Sequence, residues 1–365
     1  MELCYVSLYY KSDFITGANK RFDEIGERLF KHFGDQFQCV VTSGQRPHWC
    51  PKSNCVEIFS FKSKLGKLRS WLELSILLGR FSKGVVISDF LPLPFYILSR
   101  SYVHYQLIHD LRNFNEFKRG GLGKLTSIFQ KYQLQSADKI ITVSKFSARE
   151  LVGFCDIDNK NIVVSYNGLD SCENIIGRNI NRDIDILYVA TYEVRKNHSN
   201  LLKALSYLHQ PLSICFVGSD LGLKSDVLKI CDELALSNGH TFTNYSQITN
   251  DELEEIYSRT KVFCSPSYYE GFGMPIIEAY QHGCIVCCSD IEVFREVTFS
   301  TGIYFDPKSP ELIKGAINEA LQKLNSHEDK LAIAEQCRKV TSFYSWDNIT
   351  KRLIGALEEN HKNET

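Results

Sequence analysis

Two doubly wound α/β domains, each built on a parallel sheet, are the architecture this sequence predicts. Three observations lead there. The chain has 365 residues, too many for one comfortable core and suited to two domains of ordinary size. Apolar, β-rich runs alternate with helical patterns through both halves, as strands joined by crossover helices do. Between the halves the polar stretch DSCENIIGRNINRD carries Gly177 and several asparagines, which sets a linker at 171–183.

Taken in order, the strands expected in residues 1–170 are Leu3–Tyr9, Gln38–Thr42, Val56–Phe59, Gly84–Ser88, Val103–Ile108, Lys139–Val143 and Ile162–Ser165. In residues 184–343 they are Asp185–Ala190, Ser213–Val217, His240–Phe242, Val262–Cys264 and Ile285–Cys288. The closing stretch SFYSWDNITKRLIGALEEN reads as an amphipathic helix entered through Trp346 and Asp347.

Apolar residues at 44% and charged residues at 23% exclude disordered and fibrous classes. The opening MELCYVSLYYKSDF reads as an immediate strand rather than a secretion signal, so a cytoplasmic protein is expected. Most of its thirteen cysteines are then expected as buried thiols. His48, Trp49, Cys50 and Cys55 sketch part of a metal site, as do Cys284, Cys287 and Cys288, yet neither set has the paired ligand clusters of a zinc module.

The net charge of −1 hides an asymmetry: residues 1–170 carry 23 Lys+Arg against 16 Asp+Glu, net +7, and the remainder is net −8. The basic half suits an anionic membrane surface or a phosphate-bearing lipid acceptor; nucleic acid is not expected as a partner. FKSKLGKLRSWLELSILLGRF, with Lys62, Lys64, Lys67 and Arg69 beside Leu65, Leu68, Trp71 and Leu72, reads equally as an interfacial helix or as a core-packed helix with a solvated basic face. Its apolar run, around Leu72 to Phe81, carries Glu73 and Arg80 and is too short to cross a bilayer as a helix.

Neither half has G-x-G-x-x-G after its first strand, which argues against a dinucleotide oxidoreductase. Ligands of open parallel sheets sit beyond the carboxyl ends of the strands, so chemistry is sought there. In KVFCSPSYYEGFGMPIIEAYQHGCIVCCSD a strand leads through Glu270 into a helix opening near Pro275. Gly271, Phe272, Gly273 and Met274 would turn backbone N–H groups toward a phosphate at that helix start. Glu270 on the loop and Glu278 in the expected first turn can each accept two hydroxyl hydrogen bonds, as a ribose or a sugar requires. The alternative for Glu278 is simply a favourable charge at a helix start.

EGFGMPIIE resembles the E-x7-E motif of the retaining family-4 glycosyltransferases, enzymes of the GT-B fold with two Rossmann-like domains facing a cleft. Weaker blocks are ADKIITVSKFSAREL, VVSYNGLD, DILYVATYEVRKNHSNLLKAL and GIYFDPKSPELIKGAI. The resemblance implies that Glu270 contacts the donor sugar and Glu278 the ribose. It also implies a nucleotide-diphosphate sugar donor, a glycan or lipid-linked acceptor in surface-polysaccharide assembly, retention at the anomeric carbon, and a last helix, 344–365, that returns to the N-terminal domain.

Arg195 and Lys196, between a strand and a helix, are placed to neutralise a departing diphosphate, so no metal or other cofactor is expected; the resemblance gives them the same role. His109 ends the strand Val103–Ile108, where an imidazole could hydrogen-bond a sugar hydroxyl or move a proton. Relatives often carry a histidine there. Gly17 and Asn19 open the first helix; the glycine permits close approach of a phosphate, and Asn19 serves either the ligand or a helix cap. Asn244–Ile248 is where relatives meet the nucleobase. Two D-x-D triplets, Asp156–Asp158 and Asp183–Asp185, are not placed to hold a metal against a diphosphate. Relatives usually have glycine after the strand valine where this chain has Val189-Ala190. A sugar-nucleotide epimerase and a non-catalytic sugar-nucleotide-binding protein are the alternatives to a transferase.

Overall fold

The computed structural model describes residues 1–12, 16–59, 64–79, 81, 84–89, 102–114, 123–170, 181–324 and 326–364. Most of the expected linker and Lys62 lie outside these residues, as do the side chains of Lys64, Leu65, Lys67 and Trp71. The chain forms two compact units, Met1–Gly168 with Trp346–Thr365, and Leu169–Ser345.

In the first unit the chain runs β1 (Glu2–Ser7), α1 (Gly17–Phe33), β2 (Phe37–Thr42), β3 (Cys55–Ile58), α2 (Lys64–Gly79), β4 (Gly84–Ser88) and β5 (Val103–Ile108). It continues through α3 (Gly123–Ser136), β6 (Lys139–Thr142), α4 (Lys145–Cys155) and β7 (Ile162–Val164). Among the described residues these strands make one parallel sheet in the order β3-β2-β1-β4-β5-β6-β7. The central strands are covered on both faces, which is why they read as near-continuous apolar runs rather than alternating ones.

Thr16 starts α1 by accepting the Asn19 N–H at 3.1 Å, and Phe22, Ile25 and Leu29 then recur on one buried face. Gly34, at φ 54°, stops the helix in a conformation open to glycine. The last helix joins this core. Trp346, Ile349, Leu353 and Leu357 belong to the same buried cluster as Phe22 and Leu29, and a Cβ at Gly168 would lie 2.7 Å from the Trp346 ring.

The second unit runs β8 (Ile184–Val189), α5 (His198–Ser206), β9 (Ser213–Val217), α6 (Lys224–Asn238), β10 (Thr241–Tyr245), α7 (Asn250–Ser258), β11 (Thr260–Ser265) and α8 (Met274–Gln281). Then come β12 (Ile285–Ser289), α9 (Glu292–Val297), β13 (Ile303–Phe305), α10 (Pro310–Lys323) and α11 (His327–Phe343), before the chain leaves as α12 (Trp346–Glu364). The sheet order is β10-β9-β8-β11-β12-β13, again parallel.

The doubly wound α/β expectation is met in both units. Two strands depart from it. β13 was not foreseen, because three residues are too few to show a period, and the third strand of this unit runs 241–245 rather than 240–242. His240 instead accepts from the Leu212 N–H and bonds the Leu205 carbonyl through its other ring nitrogen.

Both sheets change winding direction once, between β1 and β4 and between β8 and β11, and ligands of such sheets bind outside that switch. On its other side the loop after β8 presses on the loop after β9: a Cβ at Gly218 would stand 1.8 Å from the Ala190 carbonyl. The small residue that close approach demands is therefore supplied after β9 rather than after Val189.

Trp346 is 1% exposed. Replacing it with alanine should destabilise the first unit by about 3–5 kcal/mol, the usual cost of emptying a buried aromatic site. Urea unfolding followed separately in each unit should show the first transition move and the second stay.

Candidate active site

In the second unit, the ends of β8 and β11 bring Arg195, Lys196 and Glu270 together. After β8 the chain makes a short 3-10 turn, Val194–Lys196, and then takes a left-handed step at Asn197, φ 57°. That step is stabilised by the buried Asn197 amide, which donates to the carbonyls of Pro266 at 2.9 Å and Pro307 at 2.8 Å. After β11 the loop is held by the Tyr268 N–H, donating to the Arg195 carbonyl at 2.8 Å. The two loops are thus bonded through their backbones before any charged side chain is placed.

Glu270 then accepts from both cations. Its Oε2 lies 3.0 Å from Arg195 Nη1, and its Oε1 lies 2.5 Å from Lys196 Nζ and 2.9 Å from Ser267 Oγ. Arg195 also pairs with Glu193 at 2.9 Å and donates to the Tyr269 carbonyl at 3.0 Å. Tyr188 donates to the Lys196 carbonyl at 2.7 Å and bonds Ser267. The Glu193, Arg195, Lys196 and Glu270 side chains are 12–13% exposed, so solvent screens them little.

Burial opposes ionisation of Glu270, but Lys196 and Arg195 outweigh it and hold the carboxyl below its usual range. Burial draws the Lys196 ammonium down, and Glu270 resists. The sequence reading of Arg195 and Lys196 as cations at a strand end stands; that Glu270 is their shared counter-ion was not foreseen. Glu193 and Ser267 were missed altogether. Nothing in the sequence pairs Glu270 with cations about 75 positions away.

Gly273 begins α8 at φ 95°, where a Cβ would also strike Phe294 at 2.8 Å, so this helix start requires glycine on two counts. No side chain caps it, and Pro275 occupies the first turn as expected. Gly271 and Phe272 are buried, while Gly273 and Met274 are partly open. Glu278 sits one turn further along than its expected first-turn position, away from the dipole end of the helix. It is half-buried and accepts a 2.9 Å hydrogen bond from Tyr257, whose phenol burial and the Glu278 charge hold far above its usual pKa. At β10, Tyr192 donates to Asn244 at 3.1 Å.

The carboxylates of both D-x-D triplets meet protein cations: Asp156 with Lys131, Asp158 with Lys160, Asp183 with Arg259, and Asp185 with Lys261. The Cys284, Cys287 and Cys288 thiols are buried separately, with Cys284 donating to the Tyr257 carbonyl and Cys287 to that of Ala316.

In the first unit, Gly17 is the exposed first residue of α1, and the cap is Thr16 rather than Asn19. The Asn19 side chain donates to the Lys11 carbonyl at 3.0 Å, closing the loop whose residues 13–15 lie outside the described ones. Two residues not foreseen accompany His109 at this end of the sheet. Arg21, 1% exposed, donates to the Tyr166 carbonyl, Asn167 Oδ1 and Ser165 Oγ at 2.7–3.0 Å. Asp89, at the end of β4, accepts from Ser7, and burial pushes its pKa up to about 6.

Burial and the Arg21 charge push the His109 pKa down to about 3. The expected proton-mobile imidazole is thus corrected to one that stays neutral near pH 7 and serves as a hydrogen-bonding group. Because native His109 refuses a proton that the unfolded chain accepts, it costs stability as pH falls from about 6.5 toward 3. Asp89 contributes in the opposite sense, binding its proton more tightly when folded. His109→Gln removes only the histidine part, so between pH 7.5 and 5.5 the variant should lose less thermal stability than the parent, by calorimetry.

Residues 174–339 match the family described as Glycosyl transferases group 1, and residues 15–172 match Glycosyltransferase Family 4. An O-antigen chain mannosyltransferase B of Escherichia coli is 29% identical over 241 residues, 62% of this chain and 61% of that protein. An O-antigen chain mannosyltransferase of Salmonella typhimurium is 24% identical over 313 residues, 82% of each chain. The first of these alignments therefore leaves over a third of its relative unmatched. A sucrose-phosphate synthase structure from Thermosynechococcus elongatus superimposes with a TM-score of 0.78, at 16% identity and 100% coverage of both chains, which shows the fold. With two family matches that together take in most of the sequence, on two switched parallel sheets, this chain belongs to the group 1, family-4 glycosyltransferases of GT-B fold.

Proposed function

We propose that this protein transfers a sugar, with retention and without a metal ion, from a GDP- or UDP-sugar to a glycan or lipid-linked acceptor in surface-polysaccharide assembly. The observation that carries the reading is the knot of Arg195, Lys196 and Glu270 at the switch point of the second sheet. The donor diphosphate takes the place beside Arg195 and Lys196, with the start of α8 at Gly273 turned to the same anion. An arriving diphosphate adds negative charge next to a buried ammonium, which keeps Lys196 protonated as the bond to the sugar breaks. Glu270 is then free to turn one carboxylate oxygen to a sugar hydroxyl, and Glu278, steadied by Tyr257, accepts from the ribose.

His109 enters as a neutral hydrogen-bonding group and not as a proton carrier. Attack on the face from which the diphosphate leaves requires no carboxylate nucleophile; the leaving phosphate takes the acceptor proton. The relatives' names make a mannosyl donor the first to test. Among the described residues no helix is long and apolar enough to cross a membrane. Exposed Leu68, Leu72 and Ile76 on α2, in the basic half of the chain, support peripheral contact with an anionic bilayer, where a lipid-linked acceptor would reside.

The test is transfer from a panel of GDP-, UDP- and ADP-sugars, chosen by thermal stabilisation, to a lipid-linked acceptor. Lys196→Ala and Glu270→Ala should each lower kcat/KM by roughly 10²–10³-fold, the usual loss for an electrostatic group at developing charge, with Glu270→Gln as the variant that keeps the shape. Near-normal turnover in either alanine variant overturns the assigned roles. Donor binding without turnover or hydrolysis would instead support a sugar-nucleotide-binding protein. Glu278→Gln should raise the donor KM more than it lowers kcat. Supplementing dialysed enzyme with Mg²⁺ or Mn²⁺ should change the rate by less than about twofold, whereas a large activation would defeat the metal-free mechanism.

A further inference from the structure

Among the described residues, a single group of three or more metal-ligating side chains converges, and it lies in the first unit: Cys39, Cys50 and Cys55, whose sulfur atoms are all within 4.8 Å of one another. Three separate pieces of chain deliver them. Cys39 in β2 and Cys55 at the start of β3 are register partners in adjacent parallel strands, so their side chains leave the same face of the sheet. Cys50 comes from the connecting loop. That loop is fixed independently of the thiols: Trp49 donates to Asp23 at 2.9 Å and packs over Gly26 of α1, and Arg46 donates to the Cys50 carbonyl at 3.0 Å.

We propose that Cys39, Cys50 and Cys55 form a thiolate site for one thiophilic d¹⁰ cation, Zn²⁺ or Cu⁺. Zinc–thiolate bonds of about 2.3 Å place sulfurs about 3.8–4.0 Å apart, so closing on an ion asks each sulfur to move by less than about 1 Å. Cys39 and Cys50 are fully buried, whereas Cys55 is half-buried and leaves one side of the trio open. A fourth position for water completes zinc, and a bare trigonal S₃ set suits Cu⁺. Three thiolates and Zn²⁺ sum to one negative charge, and the Arg46 guanidinium is near enough to act on Cys50 and Cys55. Binding would staple the edge strand β3 and its loop to β2. The remaining described cysteines form no such group.

The experiment uses the full chain, reduced, stripped with a chelator and desalted anaerobically. Zn²⁺ is titrated against a chromophoric chelator, Cu⁺ against a Cu⁺-specific chelator, and Co²⁺ serves as an optical reporter of thiolate ligation. Expected are one equivalent bound, a sulfur-to-cobalt charge-transfer band, proton release, and at least a hundredfold weaker binding in Cys55→Ser and Cys50→Ser. Should a serine variant fail to fold, alkylation of the parent gives the same answer: the bound cation should slow labelling of Cys55 at least tenfold. Lys196→Ala protein should bind the cation as the parent does, which separates this site from the donor site. No charge-transfer band together with unprotected thiols overturns the proposal, as does a disulfide between two of the three in protein purified without oxidant.

Discussion

Two buried cations cannot share a strand end without a counter-charge, and Glu270 provides it for Arg195 and Lys196 alike. The arrangement at the second switch point depends on that carboxylate. It ties the turn after β8 to the loop after β11, two pieces of chain already joined through Asn197, Pro266 and the Tyr268 N–H. The loop so fixed leads within three residues to Gly273 and the start of α8. The charges at this strand end are therefore fixed in place by the fold itself, the kind of preorganised field that the proposed transfer would use.

The two units solve the same problem with different electrostatics. Both end their sheets in a switch between strands, where loops diverge and a ligand can enter. At the second switch the charges are paired and strongly coupled. At the first, one buried arginine, Arg21, is satisfied by neutral oxygens of Tyr166, Asn167 and Ser165; burial, with the Arg21 charge adding to it, keeps His109 neutral, and the same charge pulls Asp89 below the value burial alone would set. A neutral imidazole and a carboxyl with a pKa near 6 suit hydrogen bonding to hydroxyls better than neutralising charge.

Cysteine illustrates how one residue type takes different parts within a fold. Cys284, Cys287 and Cys288 sit in and beside a strand as small apolar residues with weak S–H donors, because successive side chains along β12 point to opposite faces and cannot converge. Cys39 and Cys55 converge because they are partners across strands, not along one.

The alternation of apolar runs with helical patterns determined the class of fold, since fully covered parallel strands must be apolar on both faces and crossover helices must be apolar on one. Glu270, Gly273, Pro275, Arg195 and Lys196 were legible as a strand-end group because their local chain context, strand then turn then helix, already specifies where they lie. What lay beyond local context was decided by the tertiary structure. Glu270 as the partner of Arg195 and Lys196, Tyr257 beneath Glu278, Arg21 beside His109, and Cys39 with Cys50 and Cys55 all join residues distant in sequence or set by strand pairing. Whether a histidine titrates, or a thiol has neighbours, depends on burial and on charges brought close by the fold, quantities that no spacing along the chain encodes.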